Sequence, residues 1–263
     1  MADEGGERSE RISAPILEFD DTPQAVLEPK KLIKPRDVPE HAVVCFFQEV
    51  IAHLTQEHGA HVIKHLRSEI GVHPVYEMEL DGKRLAVFHP GVGAPLAAAM
   101  LEEVIALGCR TFIGCGGAGV LDSEIAVGHV LVPARAIRDE GTSYHYLPPG
   151  REVAADPDAV SAIEAVLKSR DVEYFITKTW TTDAIYRETP GKVRRRRDEG
   201  CLAVEMEAAA FFAVARFRGV RFAQLLYGGD DVSASEWDSR GWNGHTTARE
   251  KLFWLAAEAC LSL

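Results

Sequence analysis

The sequence predicts an α/β fold: a three-layer α/β/α sandwich around a central mixed, largely parallel sheet. Short apolar segments alternate along the chain with segments of helical periodicity, and this alternation is typical of strands that pair in parallel under helices on both faces. The chain has 263 residues, of which 46% are hydrophobic and 26% charged. This composition is ordinary for a globular protein, and this length is enough to bury one large core.

The first 40 residues are predicted to form an extended, partly disordered arm, and residues 41–263 a single domain. Residues 1–13 are charged and lack periodicity, which is typical of disorder. Residues 14–40 contain five prolines, which disfavour a helix. Apolar pairs such as Ile16-Leu17 predict that the arm lies on a protein surface, which could be that of a neighbouring subunit.

The strands are predicted from short apolar or β-branched runs bounded by turn residues. Asp81-Gly82 is a strong hairpin signal between two of them, and Pro133 is expected to end another. The predicted strands are 42–47, 75–80, 85–89, 111–114, 127–132, 173–179, 201–204 and 221–227.

The helices are predicted from helix-forming residues between these strands. The first places Val50, Ile51 and Leu54 on one face, and Gly108 fits the C-terminal cap of the second. The predicted helices are 48–56, 96–107, 156–169, 190–198, 208–218 and 244–263.

Four predicted strand ends carry unusual sequences: residues 90–95, 114–117, 204–207 and 228–231. Ligands of open α/β sheets bind at the carboxyl ends of strands, and glycines there let backbone N–H groups approach an anion. Each glycine-rich stretch alone could equally be a plain turn. None of the glycine-rich stretches is a P-loop, because none is followed by Gly-Lys-Ser/Thr.

The segment Glu205-Met206-Glu207 places two carboxylates between apolar flanks, where they need partners. The acids could complement the dipole at a helix N-terminus, or they could hold a polar ligand. The dipole explains the acids but not the methionine between them. For Asp230-Asp231 the alternatives to a ligand site are a solvated loop and a helix N-cap.

Together the four stretches resemble the nucleoside phosphorylase-I family, which includes purine nucleoside phosphorylases, uridine phosphorylases and nucleosidases. The resemblance covers about residues 42–260, and Val204-Glu205-Met206-Glu207-Ala208-Ala209 is its most specific part. It implies a phosphorylase-like fold that uses phosphate as co-substrate and needs no cofactor and no metal. It also implies a homo-oligomer, either a dimer or a hexamer, with sites completed across the interface.

The resemblance assigns roles to residues around the sugar and base. Glu207 would hold ribose hydroxyls, Met206 would pack against the sugar, and Glu205 would lie beside the base. Asp230 would be the catalytic acid that protonates a purine leaving group. Ile185 occupies the position of the family's stacking aromatic residue, and Tyr186 is adjacent to it.

The expected phosphate site departs from the family pattern. Its implied residues are Gly93, Gly114, Cys115, Gly116 and, from a neighbouring subunit, Arg67. The family's Gly-Asp-Pro-x-Arg motif is missing from this sequence. Phe112 occupies the position of a family arginine, and Cys115 occupies the position of a serine or threonine. Glu49 resembles the catalytic glutamate that helps nucleosidases to activate water. The other interpretation of Glu49 is a solvated acid at a helix start.

Three functions follow in order of preference. The first is a phosphorylase that cleaves a purine or pyrimidine nucleoside into free base and ribose 1-phosphate. The second is a nucleosidase of the same fold that uses water. The third is a catalytically weak nucleoside-binding protein.

Other classes of function are excluded by composition and pattern. A net charge of −11 argues against nucleic-acid binding, and no apolar run reaches the roughly 20 residues of a membrane span. The five scattered cysteines favour reduced thiols in a cytoplasmic protein. Four histidines crowd one region (His53, His58, His61 and His65), and the i,i+4 spacing of the last two could bind metal. No helical His-Glu-x-x-His pattern is present, and we expect no metal site. The run 194–197, four arginines, is interpreted as a solvated or ion-paired face.

Overall fold

The computed structural model describes residues 14–263. Across them the chain forms ten strands and seven α-helices. The strands are β1 His41–Cys45, β2 His61–Ser68, β3 Gly71–Leu80, β4 Lys83–Phe88, β5 Thr111–Val120, β6 Val130–Asp139, β7 Glu152–Ala154, β8 Tyr174–Thr182, β9 Cys201–Glu205 and β10 Arg221–Asp231. The helices are α1 Pro29–Leu32, α2 Gln48–Glu57, α3 Ala94–Leu107, α4 Pro157–Ser169, α5 Pro190–Asp198, α6 Ala208–Arg218 and α7 Thr246–Leu261.

All ten strands belong to one mixed sheet, in the order β10-β6-β8-β9-β5-β1-β4-β3-β2, with β7 beside β6. Strand β10 also pairs with β5, so β5, β10, β6, β8 and β9 close into a ring. Pairing is parallel along β4-β1-β5-β10 and along β6-β8-β9, and antiparallel elsewhere. The closed ring brings the end of β5 beside the end of β9, which places two predicted site segments together.

Helices cover the sheet in two groups. Helices α2 and α4 both pack on α7, which contacts strands β1, β5 and β10. Helix α3 packs on α6, which also contacts β10. Helix α6 is buried continuously from Ala208 to Ala215, as expected for a segment of alanine, valine and phenylalanine in a core. These layers confirm the predicted α/β/α class. No helix among residues 14–263 has the length and hydrophobicity needed to cross a membrane.

Several predicted strand limits were wrong. Strand β5 continues through the glycine stretch to Val120, and β10 continues through Asp230 to Asp231. Strand β6 does not end at Pro133. It passes that residue with a register shift, because a proline lacks only the N–H donor and a bulge accommodates the loss.

Strand β2 was missed because it lies at the sheet edge, with polar residues along most of its length. His61 and His65 both belong to it. Four residues of a strand span about 13 Å, so the spacing that suggested a shared metal does not bring these histidines together.

The arm also differs from the prediction. Residues 14–40 contain a 3₁₀ turn at Pro15–Leu17 and the short helix α1, each with proline in its first turn, where proline is tolerated. The arm packs on its own chain, since Glu28 contacts Arg218 and Ile33 is buried. The predicted disorder of residues 1–13 lies outside the described residues. The division into arm and domain at residue 40 stays a prediction.

Candidate functional site

The β9–α6 junction carries the two glutamates, and Glu205 serves the helix. Its Oε2 accepts hydrogen bonds from the backbone N–H groups of Glu207 (2.8 Å) and Ala208 (2.6 Å). Its Oε1 accepts one from the Thr181 hydroxyl at 2.6 Å, with a longer contact to Thr179. Burial raises the pKa of Glu205, and these hydrogen bonds oppose that shift. Glu205 therefore caps α6, and its predicted contact with the base stays a prediction.

Glu207 has a different environment, although it is equally buried. Its Oε1 accepts a hydrogen bond from the Gly93 N–H at 2.5 Å. Within residues 14–263 its Oε2 accepts none. Burial and the nearby charge of Glu205 raise the pKa of Glu207 to about 8, while the backbone N–H groups of Gly93 and Met206 oppose that shift. The structure thus brings Glu207 and Gly93 together and leaves one carboxyl oxygen for a ligand.

The loop before α3 is held in place by His89. Its Nδ1 accepts from the Gly91 N–H at 3.0 Å, so its Nε2 carries the proton and donates to the Phe46 carbonyl at 3.2 Å. Gly91 and Gly93 have φ values of 82° and 94°, which favour glycine. His89 therefore connects the β1–α2 turn to the loop that contacts Glu207.

Asp230 lies near the end of β10, not in a loop. Its Oδ2 accepts a hydrogen bond from Trp237 Nε1 at 2.7 Å. A Cβ placed on Gly119 would lie 3.5 Å from Asp230 Oδ1 and 3.0 Å from Val204 Cγ1. Because Val204 directly precedes Glu205, the structure places Asp230 near the glutamate segment, and its role as the catalytic acid stays a prediction.

The neighbouring Asp231 has a structural role. It is buried, pairs with Arg240, and accepts the Ser233 N–H at 2.7 Å. Only Asp230 of this pair remains half-exposed.

The predicted base contacts lie on a 3₁₀ turn. Ile185 is 53% exposed and Tyr186 is 94% exposed, whereas Met206 is half-buried beside Glu207. The same turn leads to Glu188, which sequence reasoning missed. Burial and the neighbouring charge of Asp230 raise the pKa of Glu188 to about 7, and Lys192 opposes the shift. Since Glu188 belongs to no motif, only its proximity to Asp230 identifies it.

Three of the residues predicted to bind phosphate, Gly114, Cys115 and Gly116, lie on a strand. Gly114 and Cys115 lie inside β5 and pair with β1 on one side and β10 on the other. The Cys115 thiol is fully buried, and burial raises its pKa well above the usual value. Gly114 and Cys115 therefore lie in the interior of the sheet, and their predicted role in phosphate binding stays a prediction.

Gly116 is required by packing. A Cβ on Gly114 would lie 3.1 Å from Gln224 Cγ, and one on Gly116 would lie 3.1 Å from the Phe46 ring. The missing Cβ atoms of these glycines make room for neighbouring side chains, and the predicted phosphate contact of Gly116 stays a prediction. Arg67 is exposed on the edge strand β2, where its predicted role toward a neighbouring subunit stays a prediction.

Glu49 is paired with a residue that sequence reasoning missed. Arg249 Nη1 donates to Glu49 Oε1 at 2.6 Å, and Arg249 Nε donates to the Tyr227 hydroxyl at 3.1 Å. The buried guanidinium also faces the rings of Phe47 and Trp242. Glu49 and Arg249 are 200 residues apart, so no local pattern could connect them.

A cavity of about 560 Å³ is lined by Tyr227 and the first turns of α7, including Lys251. None of the predicted site residues lines it. Nor does any predicted site residue belong to a group of three or more potential metal ligands within residues 14–263. The chemistry available at the glutamate segment is therefore that of carboxyl groups and backbone amides: accepting hydroxyl protons and donating a proton to a leaving group.

Comparison with curated proteins gives partial alignments. The chain is 36% identical over 141 residues to guanosine phosphorylase of Halorubrum lacusprofundi and 29% identical over 160 residues to uridine phosphorylase of Escherichia coli. These alignments include 54% and 56% of this chain. The chain spans less than two thirds of the length of these relatives, 58% and 63% respectively.

Solved structures share the fold over most of the chain. Uridine phosphorylase of Vibrio fischeri superposes with a TM-score of 0.73 at 22% identity, covering 86% of this chain and 94% of that one. AMP nucleosidase of Bacteroides thetaiotaomicron superposes with a TM-score of 0.69 at 21% identity, covering 85% of this chain and 87% of that one. The family model of the phosphorylase superfamily matches residues 40–250. Because that match includes most of the sequence, the chain belongs to the phosphorylase superfamily.

Proposed function

We propose that the chain cleaves the N-glycosidic bond of a nucleoside and transfers the ribose to phosphate, giving free base and ribose 1-phosphate. The observation that carries this proposal is the environment of Glu207, a residue that is only 5% exposed. Its Oε1 accepts a hydrogen bond from the Gly93 N–H, and its Oε2 accepts none from another side chain or from the backbone of α3 within residues 14–263. A buried carboxyl needs partners, and ribose hydroxyls supply them.

The sugar site is completed by neighbouring groups. Met206 is half-buried and offers an apolar contact for the sugar ring. Glu205 holds the first turn of α6 in place, which fixes the backbone of Glu207. Burial keeps the pKa of Glu207 at about 8 without ligand, and ribose hydroxyls that donate to the carboxyl favour its ionised form. Cleavage of an N-glycosidic bond develops positive charge on the ribose, and the ionised Glu207 stabilises that charge.

Asp230 acts on the leaving base in this proposal. Trp237 holds one carboxyl oxygen, and the other faces Gly119. A protonated Asp230 donates its proton to a ring nitrogen of the departing base, which purines provide. Glu188 lies close enough for its pKa to respond to Asp230, and its carboxyl would accept N–H groups of a purine edge. We therefore propose a purine nucleoside of the guanosine type, the substrate named for the Halorubrum relative.

The acceptor is phosphate in the first proposal. The curated relatives are named phosphorylases, and Gly93 forms the N-cap of α3, where the helix dipole favours an anion. A neighbouring subunit's copy of Arg67 would add charge, so we propose a homo-oligomer. The cytoplasmic location also stays a proposal.

Water is the second candidate acceptor, favoured by Glu49. Glu49 lies in the first turn of α2, and its half-exposed carboxylate is oriented by a hydrogen bond from Arg249. Its charge also acts on His89, which holds the loop next to Glu207. Such a carboxylate could activate water, as the nucleosidase resemblance implies.

The test is product analysis. Purified protein is incubated with guanosine, inosine or uridine, with and without phosphate, and free base and sugar products are quantified. The proposal expects ribose 1-phosphate from guanosine only when phosphate is present. Free ribose formed equally without phosphate would replace phosphorolysis with hydrolysis, and saturable binding without turnover would leave a nucleoside-binding protein.

A further inference from the structure

Three potential metal ligands converge where α2 packs against α7, away from the glutamate segment. They are His53 on α2, His58 immediately after α2, and Glu250 on α7. His53 Nε2 lies 3.5 Å from Glu250 Oε1, and one ligand atom from each of the three residues lies within 4.8 Å of the other two. The imidazole rings of His53 and His58 have centroids 5.3 Å apart.

The fold explains why these side chains meet. Helix α2 ends at Glu57, so His58 is the C-cap residue and its ring returns toward the last turns of the helix. That ring also packs edge-on against Trp254 at a centroid distance of 4.8 Å. Trp254 lies four residues after Glu250 on α7, which puts both on one helix face. Trp254 therefore directs His58 toward Glu250.

Two imidazoles and one carboxylate form a donor set for a borderline divalent cation. Zinc is bound by His nitrogen at about 2.0–2.1 Å and by carboxylate oxygen at about 2.0–2.2 Å. In a tetrahedral site such bonds separate the ligand atoms by about 3.3–3.6 Å. The 3.5 Å between His53 and Glu250 already fits this separation, and small side-chain rotations bring in His58. Magnesium and calcium prefer oxygen ligands and do not suit two imidazoles.

We propose that His53, His58 and Glu250 form a Zn²⁺ site that links α2 to α7, with water at the fourth position. The His53–Glu250 contact and the packing of His58 on Trp254 could also hold these side chains together without a metal, and the titration below distinguishes the two arrangements. The site is independent of the proposed nucleoside chemistry, although Glu250 directly follows Arg249 and His53 lies one helical turn after Glu49.

The test is Zn²⁺ titration of the full-length, tag-free protein by calorimetry, with Mg²⁺ as the hard-cation control. We expect one Zn²⁺ per chain and no Mg²⁺ binding. His58→Gln and Glu250→Gln should each weaken Zn²⁺ binding by at least about tenfold, since even changes around the ligands of a metal site cost that much. Both side chains are at least partly exposed, so these variants should keep the fold, which circular dichroism checks.

Matched controls come from strand β2. His61→Gln and His65→Gln remove exposed histidines outside the cluster and should leave Zn²⁺ binding unchanged. Replacing Zn²⁺ by Co²⁺ distinguishes the ligand type, because nitrogen and oxygen ligands lack the thiolate charge-transfer band. Absence of a stoichiometric site, an equal loss in the β2 controls, or a thiolate band would each overturn the proposal.

Discussion

The β9–α6 junction and the glycine segment of β5 look alike as ligand-binding segments in the sequence, yet the structure uses them differently. At the junction, Glu205 takes over the helix cap, and this leaves Glu207 with an oxygen for a ligand. In β5, Gly114 and Gly116 accommodate Gln224 and Phe46, and the backbone of Gly114 pairs with strands on both sides. The comparison teaches that a glycine at a strand end indicates that another group comes close to the backbone. It does not indicate whether that group is a ligand or a side chain of the same chain. A buried acid without enough partners is the stronger signal of a binding site.

Among the variants that test this comparison, Glu207→Ala is expected to cause the largest loss of activity. The change removes the carboxyl proposed to hold the ribose and to stabilise its developing charge, so kcat/KM should fall by about 10³-fold, near the upper end for loss of one such group. Steady-state kinetics with guanosine and phosphate measures it. Glu236, in the loop after β10, is exposed and provides the matched control Glu236→Ala, which should retain activity. A Glu207→Ala enzyme with near-normal kcat/KM would contradict the assignment.

A smaller loss is expected from Asp230→Asn, about 10²-fold in kcat with little change in KM, because an amide cannot donate the proton that the base needs. The control is Asp231→Asn at the neighbouring residue, which weakens the contact with Arg240 and should lower stability. Its loss of kcat should be much smaller than that of Asp230→Asn. Equal kcat values for wild type and Asp230→Asn, measured with guanosine, would remove Asp230 from the reaction.

Glu205→Ala should act on stability instead. It removes the acceptor of two backbone N–H groups at the start of α6 and of the Thr181 hydroxyl, so the free energy of unfolding should fall by about 3 kcal/mol. Urea unfolding compares it with Glu207→Ala, which breaks one backbone contact and should cost less. If Glu207→Ala were the more destabilising of the two, the division of roles would be reversed.

The pH dependence of stability gives a further test of Glu207. The pKa of Glu207 is about 8 in the folded protein and 4.5 in the unfolded reference, so the folded state holds the proton more tightly. Its contribution to stability is complete below pH 4.5 and is lost as the pH rises through about 8. Glu207→Gln should reduce the fall in unfolding free energy between pH 5 and 9 by about 2 kcal/mol. Urea unfolding at several pH values measures it, and identical pH profiles would contradict a buried, protonated Glu207.

How far the sequence could predict this molecule depends on the distance between interacting residues. Helices α5 and α6 and the Glu205-Met206-Glu207 segment are local patterns and were predicted correctly in place. Strand β2 was missed because an exposed edge strand has no apolar alternation. The pairing of Glu49 with Arg249 depends on contacts across 200 residues that no local pattern encodes.

The histidines show the same limit. Spacing singled out His61 and His65 as a potential metal pair, but both belong to a strand. The residues that converge are His53 and His58, and their third partner, Glu250, comes from the other end of the chain. Spacing carries such information only when the secondary structure assumed for it is right.

The central claim is that Glu207 holds the ribose hydroxyls, and calorimetric binding of guanosine and 2′,3′-dideoxyguanosine tests it most directly. Wild type should bind guanosine at least about tenfold more tightly than the dideoxy analogue, because each hydrogen bond to a charged group contributes about 1.5–3 kcal/mol. Glu207→Ala, which removes every hydrogen-bonding atom of this side chain, should bind both with nearly equal affinity. If Glu207→Ala still preferred guanosine as strongly as wild type does, the ribose would be held elsewhere and the account of this site would be wrong.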